Sequence, residues 1–309
     1  MTFNFSLPYM IKIAWHPSYV HPVPDGHRFP MEKYELLPMR LIREGIVSED
    51  NFFEPSQGLT YNLDVHDSEY LKRLFNLELT KKEVRASGFI LTQDLIQREL
   101  RITNGTVEGA IWALNNHSAA FNIAGGTHHA STNKAEGFCL LNDQAIASSF
   151  LLENTEVSQI LIIDLDVHQG NGTAQIFKNK NNVYTFSMHG ANNYPYHKPP
   201  SDLDIPLPDN TNDKKYLGLL RDYLPDLITK VNPNFIFYLA GVDVLAEDKL
   251  GRLGLSLNGC RERDELVFTL AKDNDIPIMT TMGGGYAPDI KIILEAHCNT
   301  FRSASNIFY

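Results

Sequence analysis

Short apolar runs, each ending in polar and chemically capable residues, constrain this chain more than any other feature. IKIAW (11–15), FNIAGG (121–126), QILIIDLD (159–166), NVYTFSM (182–188), NFIFYLAG (234–241) and IPIMTTM (276–282) are bounded by Gly, Asn, Asp or Pro. Unbroken apolar strands of this kind are buried on both faces. Between them lie stretches of helical composition at 88–100, 104–118, 142–154, 213–231 and 260–274. Strands alternating with helices need crossover connections, so the expectation is an α/β fold with a mainly parallel central sheet flanked by helices. Two Pro-rich stretches, 16–30 and 194–210, are too polar and interrupted for core elements and read as long loops at the carboxyl ends of the strands. No Gly/Ser-rich linker or internal repeat divides the chain, which favours a single domain over 1–309.

Charge narrows what such a sheet can serve. Lys and Arg number 27 against 37 Asp and Glu, a formal charge of −10, which argues against a protein built to neutralise phosphates. A negative surface instead suits cationic, Lys-rich protein partners. At 309 residues and 43% hydrophobic, the chain is long and apolar enough to bury a large core. Cys139, Cys260 and Cys298 share no CxxC spacing and cannot all pair, which fits a reducing compartment: the cytoplasm, or the nucleus in a eukaryote. MTFNFSLPYMIKIA (1–14) lacks a basic n-region and a small-residue cleavage site, so it reads as a leading strand and not a signal peptide. No stretch approaches a membrane span.

The polar residues with catalytic chemistry follow directly on the apolar runs. FNIAGG leads to His128 and His129, LIID to Asp164, Asp166 and His168, YTFS to Ser187 with His189 behind it, FIFYLAG to Asp243, and IMTTM to Gly283, Gly284, Gly285 and Tyr286. In open α/β sheets the ligand crevice lies beyond the carboxyl ends of the strands, so these groups should meet at one rim. Within DLDVH (164–168), strand alternation turns Asp164, Asp166 and His168 to one side and Leu165 and Val167 to the other. A single Asp here is as well explained by an N-cap before GNGTAQIF, but three polar groups together are not. Burying two carboxylates beside an imidazole is costly unless a cation neutralises them. Metal ligation is therefore the reading, with Asp243, after its own strand, the leading candidate for the third ligand. Nitrogen and oxygen donors without a thiolate fit a catalytic metal, with zinc the first choice and Fe(II) or Co(II) also compatible.

Gly125 and Gly126 let the backbone carry His128 and His129 up to a reaction centre. A lone His is more often a core or surface residue, whereas a tandem pair at a strand end suits base and acid work on an attacking water. Each imidazole needs a carboxylate or amide on its far nitrogen, and Asp164 and Asn171 are the nearest candidates. GGGY at 283–286 is a poor phosphate loop, since no Gly-Lys-Ser/Thr follows. A glycine turn carrying one Tyr fits a phenol that stabilises an oxyanion opposite the metal.

In order along the chain, GGTHHA, GFCLLND, DLDVHQGNGT, SMHG, AGVD and GGGY resemble the signature series of the histone deacetylase family, within the arginase/deacetylase fold. The likeness runs from about residue 16 to 300, and DLDVHQGNGT, GVDVLAEDKLGRLGLSL and RDELVF are most similar to the class IV branch and its bacterial relatives. The resemblance implies a zinc-dependent lysine deacylase, with zinc on Asp166, His168 and Asp243 and with His128 and His129 hydrogen-bonding the attacking water. It makes His129 the main general base and acid, His128 with Asp164 its electrostatic partner, and Tyr286 the group that polarises the carbonyl. It also implies a monovalent cation, K⁺ or Na⁺, on Asp164, the Asp166 and His168 carbonyls, the Ser187 hydroxyl and the Met188 carbonyl. Gly137 and Phe138 would line an acyl-lysine tunnel, with Cys139 beneath.

Asn171 stands where class I enzymes have an Asp, as is usual in the class IV branch. SMHG replaces an aromatic residue common after that serine, so one tunnel wall is expected to be less bulky. The loop with His21, Asp25, His27 and Arg28 has no assigned role. Arginase-like ureohydrolases need carboxylates where this chain has Gly170 and Leu245, so a second catalytic metal has no ligands. Polyamine deacetylases place a Glu gate where this chain has Leu250, which favours an acyl-lysine protein or peptide over an acetylpolyamine. A non-catalytic acyl-lysine scaffold is the remaining alternative, opposed by intact ligand, His and Tyr positions. The class IV likeness adds long fatty acyl groups to acetyl as candidates for removal.

Overall fold

Residues 11–309 are described by the structure, a computed structural model. Its strands are β1 (Ile11–Ala14), β2 (Phe52–Phe53), β3 (Ala119–Asn122), β4 (Ile160–Asp164), β5 (Val183–Gly190), β6 (Leu203–Leu207), β7 (Phe235–Leu239) and β8 (Ile278–Thr281). They form one sheet in the order β2-β1-β3-β8-β7-β4-β5-β6, and every neighbouring pair is parallel. The helices are α1 (Lys33–Arg43), α2 (Ser68–Phe75), α3 (Lys81–Ser87), α4 (Gln93–Asn116), α5 (Asp143–Asn154), α6 (Asn171–Phe177), α7 (Asp213–Val231), α8 (Leu257–Asp273) and α9 (Ile290–Phe308). Of the leading strand expected over 1–14, Ile11–Ala14 is β1 and residues 1–10 lie outside the described residues.

Every residue of β4 (ILIID) and β7 (FIFYL) is buried, as central strands covered on both faces require. The two faces can be assigned from β3. Phe121 meets Phe301 of α9 at 4.6 Å and Phe268 of α8 at 5.8 Å between ring centroids. Its neighbour Ala120 points the other way, towards α4, where a Cβ on Gly109 would lie 3.6 Å from the Ala120 Cβ. Helices α8 and α9 thus cover one face and α4 the other. Thr92, Asn142, Asn212, Ser256 and Asp289 each accept a first-turn N–H of the helix they precede, satisfying donors that a helix start leaves orphaned.

Two expectations are corrected here. The helical stretches 88–100 and 104–118 are a single helix, α4. Asn104 and Gly105 look like a break, but the Asn104 amide donates to Ser56 O and Gly58 O, and the bare Gly105 lets the Tyr19 hydroxyl approach. Part of the expected loop 194–210 is strand β6, at the edge of the sheet, where Pro206 can lack an N–H without breaking an inner ladder.

Five strands were expected to deliver functional groups, and β3, β8, β7, β4 and β5 are five consecutive neighbours in the sheet. Arg263 of α8 braces this centre from within the core. Its guanidinium is wholly buried and donates to Gly241 O at 2.6 Å and Leu165 O at 3.3 Å, just past the ends of β7 and β4. It also pairs with Asp264, which accepts from the Tyr238 and Thr300 hydroxyls as well. Arg263→Leu should therefore strand a buried carboxylate and cost about 3–5 kcal/mol, read from urea unfolding. A loss below about 1 kcal/mol would mean that the Tyr238 and Thr300 hydroxyls suffice to hold the Asp264 carboxylate without Arg263.

Candidate active site

Past β4, Leu165 N–H still donates to Leu239 O at 3.1 Å before the chain bends at residues 166–168; Leu165 and Val167 enter the core while Asp166 and His168 join Asp243, the division of sides expected from the sequence although the segment is not strand. Asp243 arrives from β7. His168 Nδ1 lies 3.0 Å from Asp166 Oδ1 and 3.1 Å from Asp243 Oδ2. The potential ligand atoms of these three buried residues all fall within 4.8 Å of one another. Backbone donors hold the carboxylates in place: Gly284 N–H to Asp166 Oδ2 at 2.8 Å and Val167 N–H to Asp243 Oδ1 at 2.9 Å. A Cβ at Gly284 would stand 2.0 Å from Asp243 Oδ2, so only glycine lets that backbone come so close.

The charges in this cluster bear on whether a metal fits. Burial, then the neighbouring Asp166 carboxylate, pushes Asp243 up to about 7. Burial opposes protonation of His168, but the hydrogen bonds to Asp166 and Asp243 push it up to about 10. Asp243 is thus pushed towards its neutral form and His168 towards its charged one, where a dication would satisfy both carboxylates and leave the imidazole neutral. This donor set fits a divalent metal.

His128 and His129 sit on a turn held by Asp143, whose buried carboxylate accepts from Gly126 N–H and Thr127 N–H. Their Nε2 atoms are 3.2 Å apart, while their Nδ1 atoms have different partners: Asp164 Oδ2 at 2.7 Å for His128 and Asn171 Oδ1 at 2.5 Å for His129. That difference sets their charge. Burial opposes protonation of His128, yet the Asp164 charge overcomes it and the net shift is upward. Burial, then the His128 and His168 charges, drives His129 well below its ordinary value. The pair thus favours one added proton, on His128, with His129 left neutral.

Tyr286, at the end of the glycine turn, lies against His168, Phe138 and Phe29 at 6.4, 6.1 and 6.2 Å between ring centroids. Burial, then the Asp243 and Asp166 charges, pushes its phenol well above the usual range, so it remains a donor. Gly137 and Phe138 border the same cavity with the buried Cys139, and Gly137 is tight against His129, whose Cδ2 would lie 2.5 Å from an added Cβ. The cavity has a volume of about 40 Å³, and Tyr34, Arg98 and Glu99 also line it.

The structure brings His128, His129, Asp164, Asn171, Asp166, His168, Asp243, Gly137, Phe138 and Tyr286 into one site. Asp164 and Ser187 are register partners on β4 and β5, with Met188 next along the strand. Leu250 does not line the cavity; it is half-buried on a loop where its carbonyl accepts from Asn193. The expectation of a thinner wall at Met188 is corrected: Met188 is a fully buried core residue, and it is Tyr194 that stands edge-on to His129, at 5.2 Å. In the unassigned 16–30 loop, His27 stacks on Phe89 and its Nε2 lies 2.9 Å from Gly88 O.

Other residues of the site carried no sequence expectation. Lys33 is buried and donates to Gly283 O at 2.9 Å, steadying the glycine turn, and Asp248 accepts from Tyr286 N–H at 2.6 Å. Glu136 and Asp143 lie within or beside the GFCLLND segment, so their positions were visible in sequence although their roles were not.

A profile of the family described as Histone deacetylase domain matches residues 27–301. An uncharacterized protein of Picosynechococcus is 39% identical over 297 residues, 96% of this chain and 99% of its own length. Histone deacetylase 2 of Arabidopsis thaliana is 29% identical over 270 residues, 84% of this chain and 70% of its own length. Among solved structures, an HDAC homolog from Aquifex aeolicus superposes with a TM-score of 0.81 at 23% identity, covering 96% of this chain and 84% of that one. Acetylpolyamine aminohydrolase from Burkholderia pseudomallei does so with a TM-score of 0.78 at 20% identity, covering 96% and 99%. At such identities the structural likeness speaks for the fold.

The cluster geometry predicts about one divalent ion per chain, measured by elemental analysis after dialysis. Asp243→Ala should lose the ion, whereas His129→Ala, which removes no ligand atom, should retain it. Equal metal content in all three proteins would place the ion elsewhere.

Proposed function

The chain belongs to the histone deacetylase family, and on that premise we propose that it hydrolyses the side-chain amide of an acylated lysine in a protein or peptide. Asp166, His168 and Asp243 would hold the metal, zinc by the character of the donors, which when bound supplies Lewis acidity at the amide carbonyl and the attacking water. The observation that carries this reading is the unequal His pair, with its Nε2 atoms 3.2 Å apart beside the carboxylate cluster. His129, neutral and with Nδ1 donating to Asn171, takes the proton of the attacking water at Nε2. The water oxygen bonds to the carbonyl carbon, the C–N bond breaks, and His129 returns the proton to the leaving lysine amine. His128, charged and held by Asp164, stabilises the negative charge that develops, and the Tyr286 phenol donates to the oxyanion.

A cavity of about 40 Å³ has room for a few waters at most, which supports acetyl or another short acyl group over a long fatty chain. A K⁺ or Na⁺ ion on Asp164, Ser187 and the nearby carbonyls belongs to the same reading, supported by the register pairing of those two residues. That a single sheet gathers strands from Ile11 to Thr281 supports one catalytic domain. Three buried, free cysteines fit a reducing compartment such as the cytoplasm.

Acetyl-, butyryl-, octanoyl- and myristoyl-lysine peptides, with N-acetylputrescine alongside, provide the test on zinc-loaded protein. The acetyl peptide should turn over fastest. Preference for myristoyl would require a chamber that opens, preference for the amine would move the substrate class to polyamines, and no turnover of any would leave a scaffold. Tyr286→Phe should lower kcat by roughly 10²–10³-fold, measured on the same peptide; unchanged kcat would remove the phenol from the chemistry.

A further inference from the structure

Glu136 precedes the Gly137–Phe138 wall and carries no role in the chemistry described above. Its largely buried carboxylate meets Asn171 Nδ2 at 3.1 Å and Lys134 Nζ at 2.7 Å, with Tyr194 close enough for the Glu136 charge to raise its phenol. Asn171 is the residue whose Oδ1 meets His129 Nδ1 at 2.5 Å, and the Tyr194 ring covers His129. The three side chains thus form one path, from Glu136 through Asn171 to His129.

An asparagine can face an imidazole in two ways with opposite results. With Oδ1 towards Nδ1, it accepts and holds the proton there, leaving Nε2 bare; with Nδ2 towards Nδ1, it donates and shifts the proton to Nε2. His129 works as a base at Nε2 only in the first arrangement. Asn171 does not choose by itself, because its amide has both a donor and an acceptor end. An ionised carboxylate can only accept, so a carboxylate on the far side forces Nδ2 outward and Oδ1 onto His129. Burial tends to protonate Glu136, but the hydrogen bonds from Lys134, Tyr194 and Asn171 outweigh it and hold its carboxyl below the ordinary range.

Building on the deacylase reading, we propose that Glu136 is a positioning residue that, by locking the orientation of Asn171, holds His129 in the Nδ1–H tautomer and keeps Nε2 free to take a proton. The ion pair with Lys134 does not account for the placement, since Lys134 is 48% exposed and such pairs contribute little. Tyr194 stands edge-on to His129, with its ring centroid 5.2 Å away, on the side where Glu136 lies.

Glu136→Gln is close to isosteric and removes only the accept-only character. In protein labelled with ¹⁵N-histidine, the His129 Nδ1 and Nε2 resonances should move from a single Nδ1–H tautomer to a mixture, and kcat should fall by about 10-fold, part of the 10²–10⁴ that a general base supplies. KM should change by less than about twofold, since the acyl-lysine contacts are untouched. Adding Asn171→Asp supplies an acceptor directly to His129, so the double variant Glu136→Gln/Asn171→Asp should regain the Nδ1–H tautomer and much of the lost kcat. A purely structural Glu136 would not be rescued by a change at Asn171. An unchanged tautomer in Glu136→Gln, or no recovery of the tautomer in the double variant, would overturn the proposal. The resonances are read without turnover. If the wild-type protein cleaves no acyl-lysine peptide while the tautomer shifts as described, the positioning stands and the deacylase reading fails.

Discussion

Three carboxylates held together out of water are the constraint that the rest of this structure answers. Asp164, Asp166 and Asp243 are each no more than 4% exposed, at the ends of the adjacent strands β4 and β7. Isolated anions in such a place are very costly. Each is met by oriented donors: Asp164 by His128 and Asp166 N–H, Asp166 by His168 and Gly284 N–H, Asp243 by Val167 N–H and His168. The parallel sheet makes this arrangement possible, because neighbouring strands end on one side and leave their last N–H groups and side chains free to converge. Arg263 works from below on the same problem, binding carbonyls just past both strand ends.

Two adjacent histidines with opposite proton affinities follow from the same logic. His128 and His129 share burial, a turn and a 3.2 Å contact, and differ in what lies on the far nitrogen. An aspartate partner adds a full charge and stabilises the imidazolium, whereas an amide adds only a dipole and leaves burial to decide. Asn171 in place of a second aspartate therefore creates the asymmetry between the two rings, leaving His129 neutral beside a charged His128. With one carboxylate behind each dyad partner, Asp164 directly and Glu136 one residue removed, negative charge is graded away from His129.

Period-two patterning made much of this legible in the chain itself. Unbroken apolar runs predicted the buried strands β1, β3, β4, β5, β7 and β8, and alternation within DLDVH separated the rim residues Asp166 and His168 from the core residues Leu165 and Val167. Edge strands escaped that logic: β2 has two residues, and β6 alternates weakly and carries a proline. Helix α4 was divided because Asn104–Gly105 has the composition of a turn, and only the tertiary partners of Asn104 show why it is not one.

Residue type and spacing by themselves determined that the chain forms a parallel α/β sheet and that His128, His129, Asp164, Asp166, His168, Asp243 and Tyr286 gather at its rim. The reason is local: strand period and strand ends are properties of short segments. Orientation is not local, and the tertiary structure decided it. Whether Tyr194 or Met188 borders His129, which way the Asn171 amide faces, and that Lys33, Asp248 and Glu136 reach the site from distant or unremarked positions all depend on the packing of separate elements. A hydrogen bond between residues 35 or 250 positions apart, such as Glu136 with Asn171 or Lys33 with Gly283, leaves no periodic trace in sequence. Its existence rests on where folded backbones come to lie.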